Sequence, residues 1–334
     1  MTEARPTRRR AIRILAASAC VAIAGPVARS ARADFAWHGV AMGADATILF
    51  SDVAEREARS TCRLVESEID RLEGALSLFR SDSELSVLNR AGVLATPSGD
   101  LRRAIGLALQ VAAATRGLFD PTVQPLWEAH VDWFTRYPDA GLPPEEIIAQ
   151  ARSAVDWRRV SQDDGIIRLG DGQRLTLNGL GQGYVTDRIA QLLMARGFGH
   201  VLVDLGEQRA LGPQRDGSPW LVSRSPFAPL ALGGGALATS EGIGCVLGAH
   251  GAAHHLFDPR TGRSAARWRR MTVHHPSAAI ADALSTAFFI AASYEELVAA
   301  SQAFPDASIW ALDAPGQEHH WPRATSGAGP PARI

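Results

Sequence analysis

The sequence predicts an α+β fold, a mixed architecture of antiparallel sheets flanked by helices. Three observations carry that expectation. Strand-like and helix-like segments alternate irregularly, with no run of regular βα units. No internal repeat is present. A short Gly-rich connection between two strand-like runs has the form of a hairpin. With 334 residues, 46% hydrophobic and 21% charged, the composition is that of a globular chain; disordered, collagen-like and coiled-coil chains are excluded.

Residues 37–50 alternate as an opening strand that ends at Ile48, Leu49 and Phe50. Ser51 or Asp52 then caps a helix over 54–76. Its apolar residues Cys62, Val65, Ile69, Leu72 and Leu76 recur every three or four positions, one buried stripe. A second helix starts at an Asp100 cap and runs to Thr115, with Gly117 as its left-handed stop. Residues 132–145, rich in aromatics, Pro and Gly, read as a loop, and 144–152 as a short helix. Residues 166–169 and 174–177 flank Gly170-Asp171-Gly172 as a hairpin. A helix follows from Gly183 to Ala195, stopped by Gly197, and then a buried strand at 201–203. Residues 236–310 carry strands and two helices, near 279–292 and 294–303.

The formal charge of −1 averages two unlike segments. Residues 1–33 hold seven arginines against Glu3, a surplus of six, which leaves residues 34–334 at −7. No Lys occurs, so every basic side chain is Arg. The acidic body excludes a nucleic-acid binder, which needs a basic face. Residues 7–13 resemble the twin-arginine export motif. An apolar stretch follows, too short and broken for a membrane span, and then Ala31-Arg32-Ala33, an A-x-A cleavage site. The expectation is a twin-arginine signal peptide over 1–33, one domain over 34–321, a mobile tail over 322–334 and a periplasmic location. Lipoprotein anchoring at Cys20 is disfavoured, because Ala17 stands where a lipobox prefers Leu. Cys62 and Cys245 fit either a disulfide or two buried thiols.

Four patches place Gly, Asp, Asn and His where packing does not ask for them. The first, residues 118–126, sets Asp120 and Thr122 between the apolar pair Leu118-Phe119 and Leu126. It fits an adenine edge or an Asp-Pro turn packed on the core. The second, 178–188, is a Gly-rich loop opening a helix, whose free N–H groups suit a phosphate. A plain tight turn fits too. Its spacing is not that of a dinucleotide fingerprint, and it has no Walker Lys. The third joins 238–242, including Ser240, to 254–262, including His255 and Leu256. No nucleophile elbow supports a Ser240–His255 hydrolase. His254 and His255 point to opposite faces of an extended segment, so one at most serves a given site. The fourth is helical. Asp282 and Thr286 stand at i, i+4, a pair of hard oxygens suited to Mg²⁺ or, alternatively, a cap and a back-bonded Thr.

Together and in this order, the patches resemble the ApbE family of FAD:protein FMN transferases, from Met42-Gly43 to about Ile290. Met42-Gly43 is similar to the family's Met-Gly-Thr opening. Residues 77–89, with Arg80, Ser83, Glu84, Leu85 and Asn89, resemble its S-x-Y-x-x-x-S-x-[IL]-x-x-[IL]-N segment. Residues 119–126 match F-D-x-T-V-x-P-L. Residues 236–240, 255–262 and 281–287 match closely, and 178–187 resemble D-L-G-G-x-A-K-G-Y-x-x-D in part. Four departures stand out: Ala44 for Thr, Phe79 for a flavin-side Tyr, Asn178 for Gly and Gln182 for Lys. An Asn at the Tyr position accompanies FAD hydrolysis in the family, whereas Phe79 keeps a ring.

The resemblance implies an ApbE-like mixed fold and an enzyme. The implied reaction is Mg²⁺-dependent transfer of FMN from FAD to a Thr or Ser hydroxyl of a partner protein, with release of AMP. Two alternatives stay open: an FAD pyrophosphatase and a non-catalytic flavin-binding protein. Cofactor contacts are implied for Met42, Phe79, Leu118, Phe119, Asp120, Asn178, Gln182, Ser240, His255 and Leu256. The metal falls to Asp282, Ser285, Thr286 and the Gly181 carbonyl, and the proton-accepting role to His255, shared with Asp282. The implied acceptor is an exported or membrane-anchored flavoprotein subunit of a respiratory electron-transfer complex. The sequence sets no oligomeric state.

Overall fold

The structure, a computed structural model, describes residues 33–322 apart from 225–226 and 249–250. The expected signal peptide and tail thus fall outside the described residues, Ala33 and Pro322 excepted. Among the described residues no helix is long and apolar enough to cross a membrane.

The chain opens on two strands where one was expected. β1 (Phe35–Ala41) and β2 (Ala44–Phe50) form a hairpin with Ala41 opposite Ala44. The turn residues Met42 (φ 51°) and Gly43 (φ 80°) both take positive φ, as a two-residue hairpin turn requires. Met is unusual there, so the alternation reads as unbroken in the sequence. α1 (Glu55–Leu76) buries the predicted stripe. Each fully buried Val, Leu or Ile of that stripe is worth about 1.5–3 kcal/mol. Its N-cap is Ala54, without a side-chain bond; Ser51 instead accepts the Arg215 N–H. α2 (Glu84–Ala91), capped by Ser83, was not anticipated, and β3 (Val93–Ala95) follows. α3 (Gly99–Ala114) is capped by Ser98, not Asp100, which lies inside the first turn and binds Arg71, Arg103 and the Tyr184 hydroxyl.

The expected loop at 132–145 is shorter than read: its first five residues belong to a helix, and the connection itself is 137–144. α4 (Gln124–Arg136) carries Pro125 in its first turn, and α5 (Glu145–Arg152) comes after eight connecting residues. The expected hairpin around Gly170-Asp171-Gly172 is absent. β4 (Ser161–Asp163) pairs with β5 (Ile166–Arg168) one turn earlier, and β3 lines the other side of β5. Residues 174–177 form no strand, because their backbone bonds elsewhere: Leu175 N–H to the Asn89 side chain and Thr176 N–H to Pro121 O.

α6 (Gly181–Ala195), β6 (Val201–Asp204), β7 (Gln208–Ala210), β8 (Trp220–Arg224), β9 (Phe227–Leu232) and β10 (Gly235–Glu241) lead into the second half. The short β11 (Val246–Leu247) and β12 (Ala253–His254) come next. β13 (Trp268–His275), α7 (Ala278–Ile290), α8 (Tyr294–Ser301), β14 (Ser308–Asp313) and β15 (Glu318–Trp321) complete the order.

The main sheet runs β1-β2-β6-β7-β10-β13-β14-β15, and each neighbouring pair is antiparallel. The predicted fold class therefore holds. Successive side chains of its strands serve different cores. Ile48, Val201 and Val203 join the helices of the main core. Leu49, Leu202 and Leu237 pack on the β8–β9 hairpin through Trp220, Val222 and Leu232. A third cluster ties α4 and α5 to Leu247, Ala253 and Phe257. α7 lies on β10 and β13 and against α6, and this arrangement builds the site.

Candidate active site

Residues spread over the whole sequence line one cavity of about 870 Å³. Two glycines set how the elements around it meet. A Cβ on Gly183 would stand 2.3 Å from Ala278 O, so only Gly lets α6 meet the start of α7 backbone to backbone. A Cβ on Gly179 would come 2.9 Å from Thr286 Oγ1, so the turn before α6 presses directly on that hydroxyl. The helix pair is then pinned by Asp187, which accepts from Ser277 Oγ (2.6 Å), Ala278 N–H (2.8 Å), Ala279 N–H (3.1 Å) and Arg209. Asp187 thus caps α7 from the neighbouring helix.

One turn into α7, Asp282 faces the N-terminus of α6, where its Oδ2 accepts the Gly183 N–H at 3.1 Å. It is 5% exposed and lines the cavity. Burial pushes its carboxyl up to about 7, opposed only by that N–H. Thr286 lies one turn further on. Ser240 Oγ, from β10, meets Ser285 Oγ at 2.8 Å and Thr286 Oγ1 at 3.4 Å, while Ser285 Oγ donates to Asp282 O. Carboxylate and hydroxyls form a corner of hard oxygens.

Whether this corner fits Mg²⁺ follows from its donors. Asp282 is a buried carboxylate without a basic partner, and Thr286 supplies a neutral oxygen beside it. Among the described residues no three His, Cys, Asp or Glu side chains gather as a metal cage. An ion here draws on hydroxyl, carbonyl and substrate oxygens, which is how Mg²⁺ is commonly held. The residues fit.

His255 lines the same cavity. Its Nδ1 lies 3.3 Å from Cys245 O. A carbonyl can only accept, so Nδ1 carries the proton and the lone pair of the neutral ring is on Nε2. Burial and the neighbouring His254 pull its pKa down to about 4. His254 turns elsewhere, to Ala265 O and Phe289. Phe79, 54% exposed, puts a ring at the mouth. Met42 is held there by its N–H on Glu73 Oε1 (2.7 Å).

The cavity brings together Met42, Phe79, Phe119, Asp120, Asn178, Gln182, Ser240, His255, Leu256, Asp282 and Thr286. It leaves three predicted residues behind its walls. Leu118 belongs to the core, and Ser285 acts through the hydroxyls it touches. Gly181 opens α6 against Met42 and Leu177, and its carbonyl is directed along the helix. Asp120 lines the cavity with both oxygens engaged: Oδ1 accepts from Thr122 N–H and Oγ1, and Oδ2 from Trp157 N–H. It is an Asp-Pro turn and a cavity wall at once. Cys62 and Cys245 are buried and form no disulfide.

The sequence reading missed Glu207. It lines the cavity at 7% exposure, and burial and the charges of Asp282 and Asp204 push its carboxyl well up. The signal was available: a second acid, three residues after Asp204, directly behind Gly206 at the end of a buried strand.

Residues 42–308 match the model of the ApbE family. A FAD:protein FMN transferase of Treponema pallidum is 26% identical over 286 residues, which cover 77% of this chain and 78% of that protein. The enzyme of the same name from Klebsiella pneumoniae is 26% identical over 274 residues, covering 75% and 77%. In structure, the chain is similar to the ApbE protein of Thermotoga maritima, with a TM-score of 0.76 and 25% identity over 86% of this chain and 96% of that one. The flavin transferase ApbE of Vibrio cholerae, 23% identical with a TM-score of 0.73, shares the fold over 86% and 97%. A single match spanning the hairpin tip at Met42, the Gly-rich turn and the Asp282 helix makes this chain a member of the ApbE family.

Proposed function

We propose that the chain transfers FMN from FAD to a Thr or Ser hydroxyl of a partner protein and releases AMP. The observation that carries this reading is the meeting, in one cavity, of an exposed aromatic ring, a helix N-terminus, the Asp282–Thr286 oxygen pair and a neutral His. Phe79 offers a face on which a flavin ring stacks. The N-terminal end of α6 turns its positive pole toward the diphosphate. Asp282 and Thr286, with a backbone carbonyl of the 178–180 turn, would hold Mg²⁺. Bound there, Mg²⁺ supplies Lewis-acid polarisation of the diphosphate and neutralises charge on the departing AMP. The acceptor oxygen bonds to the FMN-side phosphorus as the bond to AMP breaks, and its proton passes to Nε2 of His255. A ring that stays unprotonated down to about pH 4 is in the right state for this at neutral pH. The acceptor is read as an exported or membrane-anchored flavoprotein subunit of an electron-transfer complex, met in the periplasm after twin-arginine export.

The test incubates the mature chain with FAD, Mg²⁺ and an acceptor domain carrying a Thr or Ser site. In-gel flavin fluorescence on the acceptor supports transfer. Free FMN and AMP with an unlabelled acceptor overturn it in favour of hydrolysis, and unchanged FAD in favour of binding alone. His255→Ala is expected to slow transfer roughly 100-fold or more at saturating FAD. A normal rate removes His255 from the proton-accepting role.

A further inference from the structure

Glu207 is a buried acid that the site so far described does not use. It sits in the short turn between β6 and β7, and its side chain faces the same cavity as Asp282. Its neighbour in the turn, Asp204, is accounted for locally: Oδ1 accepts the Gly206 N–H (3.3 Å) and Oδ2 the Gln208 side-chain amide (3.2 Å). Glu207 receives one backbone N–H, from Thr239, and its charged neighbours are Asp282 and Asp204, both acids. Two α6 side chains reach this turn: Thr186, whose Oγ1 donates to Glu207 O (3.4 Å), and Gln182. Gln182 packs on Gly206 so closely that a Cβ there would meet its amide nitrogen at 2.5 Å. Position 182 thus sets a neutral amide beside the turn. Two carboxylates buried at one cavity wall repel each other, and such pairs persist where a cation stands with them.

We propose that Glu207 is the second carboxylate of the divalent-cation site, joining Asp282 and Thr286, and that Gln182 keeps the site free of a competing ammonium group. With two carboxylates the protein balances both charges of the ion before any substrate phosphate arrives. The inference rests on the reading of Asp282 and Thr286 as a Mg²⁺ site.

The test is Mg²⁺ binding to the intact mature chain without FAD, read by calorimetry and by the Mg²⁺-induced shift in melting temperature. Glu207→Gln is expected to weaken Mg²⁺ binding at least tenfold, with the metal-free protein as stable as the parent or more so. Glu207→Asp recovers part of the affinity. Gln182→Lys, which leaves both carboxylates in place, is expected to weaken Mg²⁺ binding as well. Wild-type affinity in both Glu207→Gln and Gln182→Lys overturns the proposal. So does a Glu207→Gln protein that melts lower with and without metal alike, which marks a purely structural acid. If the parent chain itself binds no Mg²⁺, the Asp282–Thr286 reading fails first, and the two failures are told apart.

Discussion

Asp187 and Asp282 sit on facing helices, both buried, in opposite surroundings. Asp187 has four donors, one of them the Arg209 guanidinium, and it holds the start of α7 against α6. Asp282, one turn further on, has the Gly183 N–H and a carboxylate for company. The first acid is satisfied by the fold. The second is held by the fold in a state the fold does not satisfy, as is common where a ligand completes the arrangement. The lesson is that burial of an acid says little until its donors are counted.

The sharpest way to break the contrast is Asp282→Asn. Transfer is expected to fall roughly 1,000-fold, the scale of losing a direct electrostatic contact to the reacting group. The melting temperature of the metal-free protein should hold or rise, since an uncompensated buried charge is removed. A lower melting temperature would make Asp282 another Asp187. The converse variant, Asp187→Ala, strands Arg209 and the α7 N-terminus and is expected to cost about 3–5 kcal/mol in urea unfolding. A loss under about 1 kcal/mol would show that the backbone contact at Gly183 suffices. The smallest effect is one of pH. Asp282 titrates near 3.8 when unfolded and near 7 when folded, so the folded state binds the extra proton between those values. Its contribution to the metal-free protein is present below about pH 4 and lost as pH rises through 7. In the proposed site Mg²⁺ would need the ionised form, so its stabilising effect on the melting temperature should grow from pH 5.5 to pH 8. An equal shift at both ends would remove the raised carboxyl from the binding equilibrium.

Much of this was legible in the residue order. The stripe of α1 is set by spacing alone, and Gly117 stops α3 at φ 83° as expected. The Asp282–Thr286 pair follows from helical periodicity. What was not legible depends on partners distant in sequence. The turn at Met42 hides because a non-Gly residue accepts positive φ, with its N–H held by Glu73. Residues 174–177 look like a strand, but Asn89 and Pro121 take their backbone bonds. Glu207 reads as an ordinary polar turn residue until the sheet and α7 close over it.

The contact between Gly183 and Ala278 also has a bearing on motion. Where Gly183 meets Ala278 the two helices touch backbone to backbone, and Asp187 pins them again, which leaves no side-chain layer at that crossing in which to slide. The crossing of α6 and α7 is therefore expected to move as one rigid piece, with adaptation to a partner protein left to the rim around Phe79 and the short strands β11 and β12. Amides in the first turns of α6 and α7 should be among the slowest in the molecule to exchange with solvent.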